Sequence, residues 1–190
     1  SFIGKVGRDE LGNFYEKDMV DAGLAPVLMR STQSPTGTAV ALVTPDSERT
    51  FATHLGAATE LTPEELNSNY FKGYHILYLE GYLIFNLPLV EQACRIAKER
   101  KMCVALDLAS FNVVNEMLPA FQRIVNEYVD IVFANEEEAR AFTGLGPVDA
   151  LQEISKKCSI AVVKTGADGS WIKRGDEVIK IDALKVEAID

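Results

Sequence analysis

The stretch VDIVFANEEEARAFTG, residues 129–144, decides the fold. Ile131 to Ala134 is a short apolar run of the kind that forms a strand buried on both faces, and Asn135 opens a segment of helical composition that Gly144 closes. A strand cut off by a helix start marks the carboxyl edge of an α/β sheet. Doubly wound folds bind ligands at that edge, and free helix amides there attract phosphate. Asn135 and Glu138, three apart, share a helix face beside it. The same spacing is also a capping box, in which the two side chains satisfy unpaired amides of the first turn. The pair alone leaves both readings open.

Working outward, the pattern on either side repeats the same alternation. Upstream, His75 to Glu80 reads as a strand, Leu87 to Arg100 as a helix, Cys103 to Asp107 as a strand and Met117 to Tyr128 as a helix. Downstream, a helix from Val148 to Lys157 leads to a strand from Ile160 to Lys164, a hairpin through Arg174, and a final strand from Val186 to Ile189. Strands alternating with helices of this length predict βαβ units: an α/β fold with a doubly wound, mainly parallel sheet. Nearer the start, Phe2 to Val6 reads as a strand, followed by a helix to about Gly23 capped by Asp9 and a short strand from Val27 to Met29. Thr38 to Thr44 and Arg49 to His54 are β-rich runs joined by turn residues with no helix between them, so they pair antiparallel. A small antiparallel sheet therefore stands off the main one, in a segment bounded at about residues 27 and 54. Thr62-Pro-Glu-Glu is a further capped turn.

The 190 residues, 47% of them hydrophobic, suit one α/β domain with a small excursion. No apolar run approaches the roughly 18 residues of a membrane span, and the first residues carry no secretory pattern, which predicts a soluble, cytoplasmic protein. A formal net charge of −9 argues against a nucleic-acid surface. Cys94, Cys103 and Cys158 show no paired spacing and read as buried free thiols, not as a metal or disulfide framework.

Neither glycine fingerprint of the common nucleotide-binding loops is present. A second candidate site is IAVVKTGADGS, residues 160–170. Its strand ends at Lys164 and enters a turn where Gly166 and Gly169 allow close backbone approach beside a positive charge. A plain hairpin turn with an exposed lysine is the alternative. Both candidate sites end strands of one sheet and so face the same edge.

Five motifs occur in order: FIGKVGRDELG at 2–12, TGTA at 36–39, ERT at 48–50, NEEE at 135–138 and VKTGADG at 163–169. Together they resemble the ribokinase-like (PfkB) family of carbohydrate and nucleoside kinases. RTFATHLGAA at 49–58 and YLEGYL at 78–83 look most like its adenosine kinase subgroup. The resemblance implies a ribokinase-like sheet with a small β lid, and an ATP-dependent phosphotransferase acting on a hydroxyl of a nucleoside or sugar. Adenosine is the leading acceptor and ribose or fructose the alternative; a non-catalytic nucleotide- or sugar-binding relative is a third reading.

On these motifs, the resemblance assigns Asn135 and Glu138 to organising Mg²⁺ and phosphate, usually through water. It assigns Lys164, Thr165, Gly166 and Gly169 to the nucleotide loop, although many relatives have Thr where Lys164 stands. Gly37, Thr38 and Arg49 fall on lid segments over the acceptor. Tyr82 takes the place of an aromatic against the base, or is a packing tyrosine at a loop mouth. Asp107 ends a strand at the same edge with no assigned role. Family members continue into a glycine-rich loop holding the anion hole and the catalytic base. The chain reaches only Asp190, which aligns with the first aspartate of that loop, near a monovalent-cation site in some relatives. The expectation is an incomplete kinase domain over residues 1–190, lacking both ends and inactive by itself. The parent is expected to be a monomer or a homodimer through the lid.

Overall fold

The computed structural model describes residues 1–45 and 49–185. Two compact units divide the described chain, one of residues 1–70 and one of residues 71–185. The expected strand over 186–189, Asp190 and part of the turn at 46–48 lie outside the described residues. No helix among the described residues is long and apolar enough to cross a membrane.

In the first unit, β1 (Phe2–Gly7) runs parallel to β2 (Pro26–Ser31), with α1 (Glu10–Asp21) between them. Asp9 caps α1 by accepting from Gly12 N at 2.8 Å, which closes an otherwise orphaned first turn. The antiparallel pair is β3 (Thr38–Val43) with β4 (Arg49–His54), and every residue of both strands is exposed. Pro26–Ser31, placed within the excursion from the sequence, is thus bonded to β1, and only the two later strands form the antiparallel sheet.

The second unit carries the alternating pattern. Its strands are β5 (Ile76–Glu80), β6 (Cys103–Asp107), β7 (Ile131–Asn135), β8 (Ile160–Lys164), β9 (Ser170–Arg174) and β10 (Glu177–Ile181). They lie in the order β10-β9-β8-β7-β6-β5; β5 to β8 are mutually parallel, and the β9–β10 hairpin adds two antiparallel strands. The connecting helices are α2 (Leu87–Glu99), α3 (Phe111–Tyr128), α4 (Glu136–Thr143) and α5 (Pro147–Ser155). Helix α2 buries Leu89, Val90, Ala93, Cys94, Ile96 and Ala97, the stripe that helical periodicity demands of a face packed on a sheet. Val104, Leu106, Phe121, Ile124, Val132, Leu151, Ile154 and Val163 form the fully buried centre.

Two readings shift. Burial in β7 alternates: Val132 and Ala134 are buried while Ile131 and Phe133 are half-buried, so the apolar run is not sealed on both faces. Helix α3 begins six residues before the expected Met117. Pro119 lacks an N–H and its ring crowds the carbonyl of Asn115, so the backbone leaves helical angles at Met117 (φ −114°, ψ 22°). Periodicity across that kink shows only the second half.

Candidate functional site

Strand register assembles a polar cluster at the carboxyl edge of the second unit. Directly paired residues of parallel strands face the same side, and so do residues two apart. Glu80 pairs with Asp107, Asp107 with Phe133, and Asn135, two beyond Phe133, with Lys164. Glu80, Asp107, Asn135 and Lys164 therefore share one face at the ends of four adjacent strands. Tyr78, two before Glu80, joins them: its hydroxyl donates to Glu80 Oε1 at 3.0 Å and its ring lies 6.5 Å from that of Phe133. Partial burial, then the neighbouring Glu80 carboxylate, pushes the Tyr78 phenol up to about 12.

Asn135 and Glu138 make the full capping box. Glu138 N donates to Asn135 Oδ1 at 2.8 Å, while the Glu138 carboxylate accepts from Asn135 N at 2.7 Å and from Asn135 Nδ2 at 2.8 Å. Glu138 is buried, and burial raises its pKa against the lowering effect of the Asn135 amide. Each carboxylate oxygen accepts one of these bonds, so the cap holds the buried carboxylate in a fixed orientation. Gly144 ends α4 with φ +79°, a left-handed conformation, and its N–H bonds the Arg140 carbonyl.

Lys164 does not project freely. Its Nζ donates to Asp107 Oδ2 at 2.9 Å, reaching across β7 from β8 to β6. The turn beyond it is self-contained: Thr165 donates its N–H and its hydroxyl to Gly169 O at 2.8 and 3.0 Å. Gly166 takes φ +53°, and a Cβ on Gly169 would lie 2.0 Å from Ile181 O, so the fold itself already requires the second glycine. Close approach at residue 169 is to the neighbouring strand's end.

Tyr82 lies on a 3-10 turn (Gly81–Asn86) directly after β5 and is 58% exposed. Phe85 on the same turn and Phe111 at the start of α3 are exposed as well, giving the strand ends an aromatic rim. Gly81 permits the turn to approach its neighbour, since a Cβ there would meet Leu108 O at 2.5 Å and Asp107 O at 2.8 Å.

The remaining expected residues belong to the first unit. Gly37 precedes β3, where a Cβ would strike Leu55 O at 2.6 Å, and Gly56, with φ +51°, backs against Pro35 O across the base of the hairpin. Thr36 fixes that base: its N–H donates to Asp9 Oδ2 at 2.7 Å, its hydroxyl donates to Asp9 Oδ1 at 2.5 Å, and it accepts from Gly7 N at 2.9 Å. Thr38 and Arg49 are exposed and pair with His54 and Val43.

Sequence reading missed Glu80 and Tyr78 as members of the cluster and gave Asp107 no partner. The strand boundaries contained the signal, because strands ending in register bring their last residues together. A depression of about 380 Å³ at the amino ends of β7 and β8, lined by Lys98, Asn126, Asp130 and Lys157 among others, lies away from this cluster. Its Lys98 already pairs with Asp130, and Lys157 bonds Asn126.

Over residues 1–190 the chain matches the pfkB family of carbohydrate kinases. The chain belongs to that family. It is 23% identical over 195 residues to an uncharacterized sugar kinase of Archaeoglobus fulgidus, covering all of this chain and 76% of that protein. It is 24% identical over 203 residues to the 5-dehydro-2-deoxygluconokinase of Listeria monocytogenes serotype 4b, covering 99% of this chain and 62% of that one. Among solved structures, adenosine kinase from Sinorhizobium meliloti superposes with a TM-score of 0.89 at 30% identity, over 98% of this chain and 59% of that one. The chain thus spans less than two thirds of the length of the last two.

Proposed function

We propose that the protein carrying this chain is an ATP-dependent phosphotransferase acting on a hydroxyl of a small nucleoside or sugar. The observation that carries this reading is the carboxyl-edge cluster itself, in which an ammonium, a carboxylate and a helix start converge on one face of a parallel sheet. The donor set fits a polyphosphate with a divalent cation: Lys164 offers charge, α4 its first turn, and Glu138 a carboxylate. When bound, Mg²⁺ neutralises phosphate charge. In this assignment Lys164, Thr165, Gly166 and Gly169 form the nucleotide loop, with Lys164 the residue that meets phosphate. Asn135 and Glu138 organise Mg²⁺ and phosphate, with Glu138 orienting the Asn135 amide and reaching metal through water.

Adenosine is our first acceptor. The exposed rim of Tyr82, Phe85 and Phe111 favours a flat base over a polyhydroxyl ring, because aromatic faces bury best against aromatic faces. A sugar such as ribose or fructose is the second reading, favoured by the names of the two sugar-directed relatives. Gly37, Thr38 and Arg49 are assigned to the lid over the acceptor, Asp190 to a monovalent-cation site, and the exposed β3–β4 sheet to either a free lid or a homodimer contact. A cytoplasmic location with no nucleic-acid or membrane partner completes the proposal.

The test is ADP release by the full-length protein with a panel of nucleosides and sugars. Turnover with adenosine well above that with ribose or fructose is expected. A response to ribose alone would replace the acceptor, and no turnover with any acceptor would favour a binding protein that has lost the chemistry.

A further inference from the structure

The Lys164–Asp107 pair has two unequal members. Asp107 is pinned: its Oδ1 accepts from Ala109 N at 3.0 Å in a turn where Ala109 takes φ +66°, a left-handed conformation that costs an alanine about 1 kcal/mol. The next residue tightens the same turn, Ser110 N donating to Leu108 O at 2.8 Å. Gly81 packs so closely on Leu108 O that only a residue without a side chain fits. Asp107 is also mostly shielded, its side chain 16% exposed, whereas Lys164 is 46% exposed on a flexible four-carbon stem. The fixed partner is the carboxylate and the movable one is the ammonium.

Lys164 is also the one cation among the four residues of the edge, and Asp107 is the carboxylate it pairs with. As built, its charge is spent on Asp107. An incoming phosphate either shares the ammonium with Asp107 or takes it over. Sharing would hold two anions against one cation, and like charges about 4 Å apart repel by about 1 kcal/mol even in water. Takeover needs only rotation of the lysine stem.

We propose that Asp107 is an internal counter-ion that parks Lys164 when no nucleotide is bound and yields it to phosphate on binding, so that Asp107 sets nucleotide affinity from outside the nucleotide contacts. This rests on the reading of Lys164 as a phosphate-binding residue. Asp107 is then a positioning residue whose removal frees Lys164 and strengthens nucleotide binding. A carboxylate that merely held Lys164 in its working position would have the opposite effect.

The experiment is calorimetric binding of ADP, with metal chelated, to the full-length protein and to Asp107→Asn, Lys164→Met and the double variant. Chelation removes any contribution of Asp107 through a cation. We expect Asp107→Asn to tighten binding about 3- to 10-fold, Lys164→Met to weaken it by at least as much, and Asp107→Asn to change affinity less than about 2-fold once Lys164 is gone. Unchanged or weaker binding by Asp107→Asn, with Lys164→Met still impaired, would overturn the parking role and leave the nucleotide site standing. Tightening that persists in the double variant would overturn it too, assigning the effect to general repulsion. Wild-type affinity in Lys164→Met, or no ADP binding by any form, would remove the nucleotide reading and the parking role with it.

Discussion

Asn135 and Glu138 are first of all a structural pair. Their reciprocal bonds satisfy two amides of the first turn of α4, and the Glu138 carboxylate is buried while doing so. Glu138→Ala should lower unfolding free energy by about 1–2 kcal/mol, read as a shift in the urea midpoint. Glu138→Gln keeps one acceptor and should lose less. If that variant also retains whatever turnover and Mg²⁺ dependence the full-length protein shows, Glu138 is a cap and nothing more. Asp9 gives a pH-dependent counterpart. The Thr36 hydroxyl first, then the Thr36 and Gly12 amides, hold its carboxyl below the usual aspartate value. A lowered folded pKa contributes stability above the unfolded value near 3.9 and loses it as pH falls through the lowered one. The stability gap between wild type and Asp9→Asn should therefore be full near neutrality and shrink on acidification; a gap independent of pH would show that these bonds do not favour the carboxylate. The capping box was legible from the sequence because its spacing is local. The Asp9–Thr36 link was not, because it joins residues 27 positions apart that share no periodicity.

At the scale of elements, the turn after β6 is the most demanding. Gly81 backs onto Leu108 and Asp107 carbonyls, so Gly81→Ala overpacks the turn that pins Asp107. A loss of about 1–3 kcal/mol is expected, measured by thermal or urea unfolding. Loss of the cost in a Gly81→Ala, Ala109→Gly double variant would locate the strain in that turn. The alternation of strands and helices from Ile76 to Lys164 was readable because each element keeps one period over its length. Helix α3 was read short because Pro119 interrupts the period at Met117, and the 3-10 turn after β5 was missed because Gly81–Asn86 is too brief to show one. The cluster of Glu80, Asp107, Asn135 and Lys164 depends on inter-strand register, which no single segment encodes.

Across the described residues, the three cysteines stand apart from the polar cluster at the carboxyl edge. Burial pushes Cys94 up to about 12 and Cys158 up to about 11, and it raises Cys103 as well. At pH 8 none of the three should titrate rapidly with a disulfide reagent in the native protein, and all three should do so in denaturant; fast native reaction at Cys94 would contradict its burial. Membership of the pfkB family and the parallel sheet direct attention to one edge of one unit. Hydrogen exchange of the full-length protein, with and without ATP and Mg²⁺, locates the nucleotide most directly. The account predicts slowed exchange at residues 135–138 and 164–169. Protection confined to the opposite edge, around residues 126–130 and 156–159, or no protection at saturating nucleotide, would contradict it.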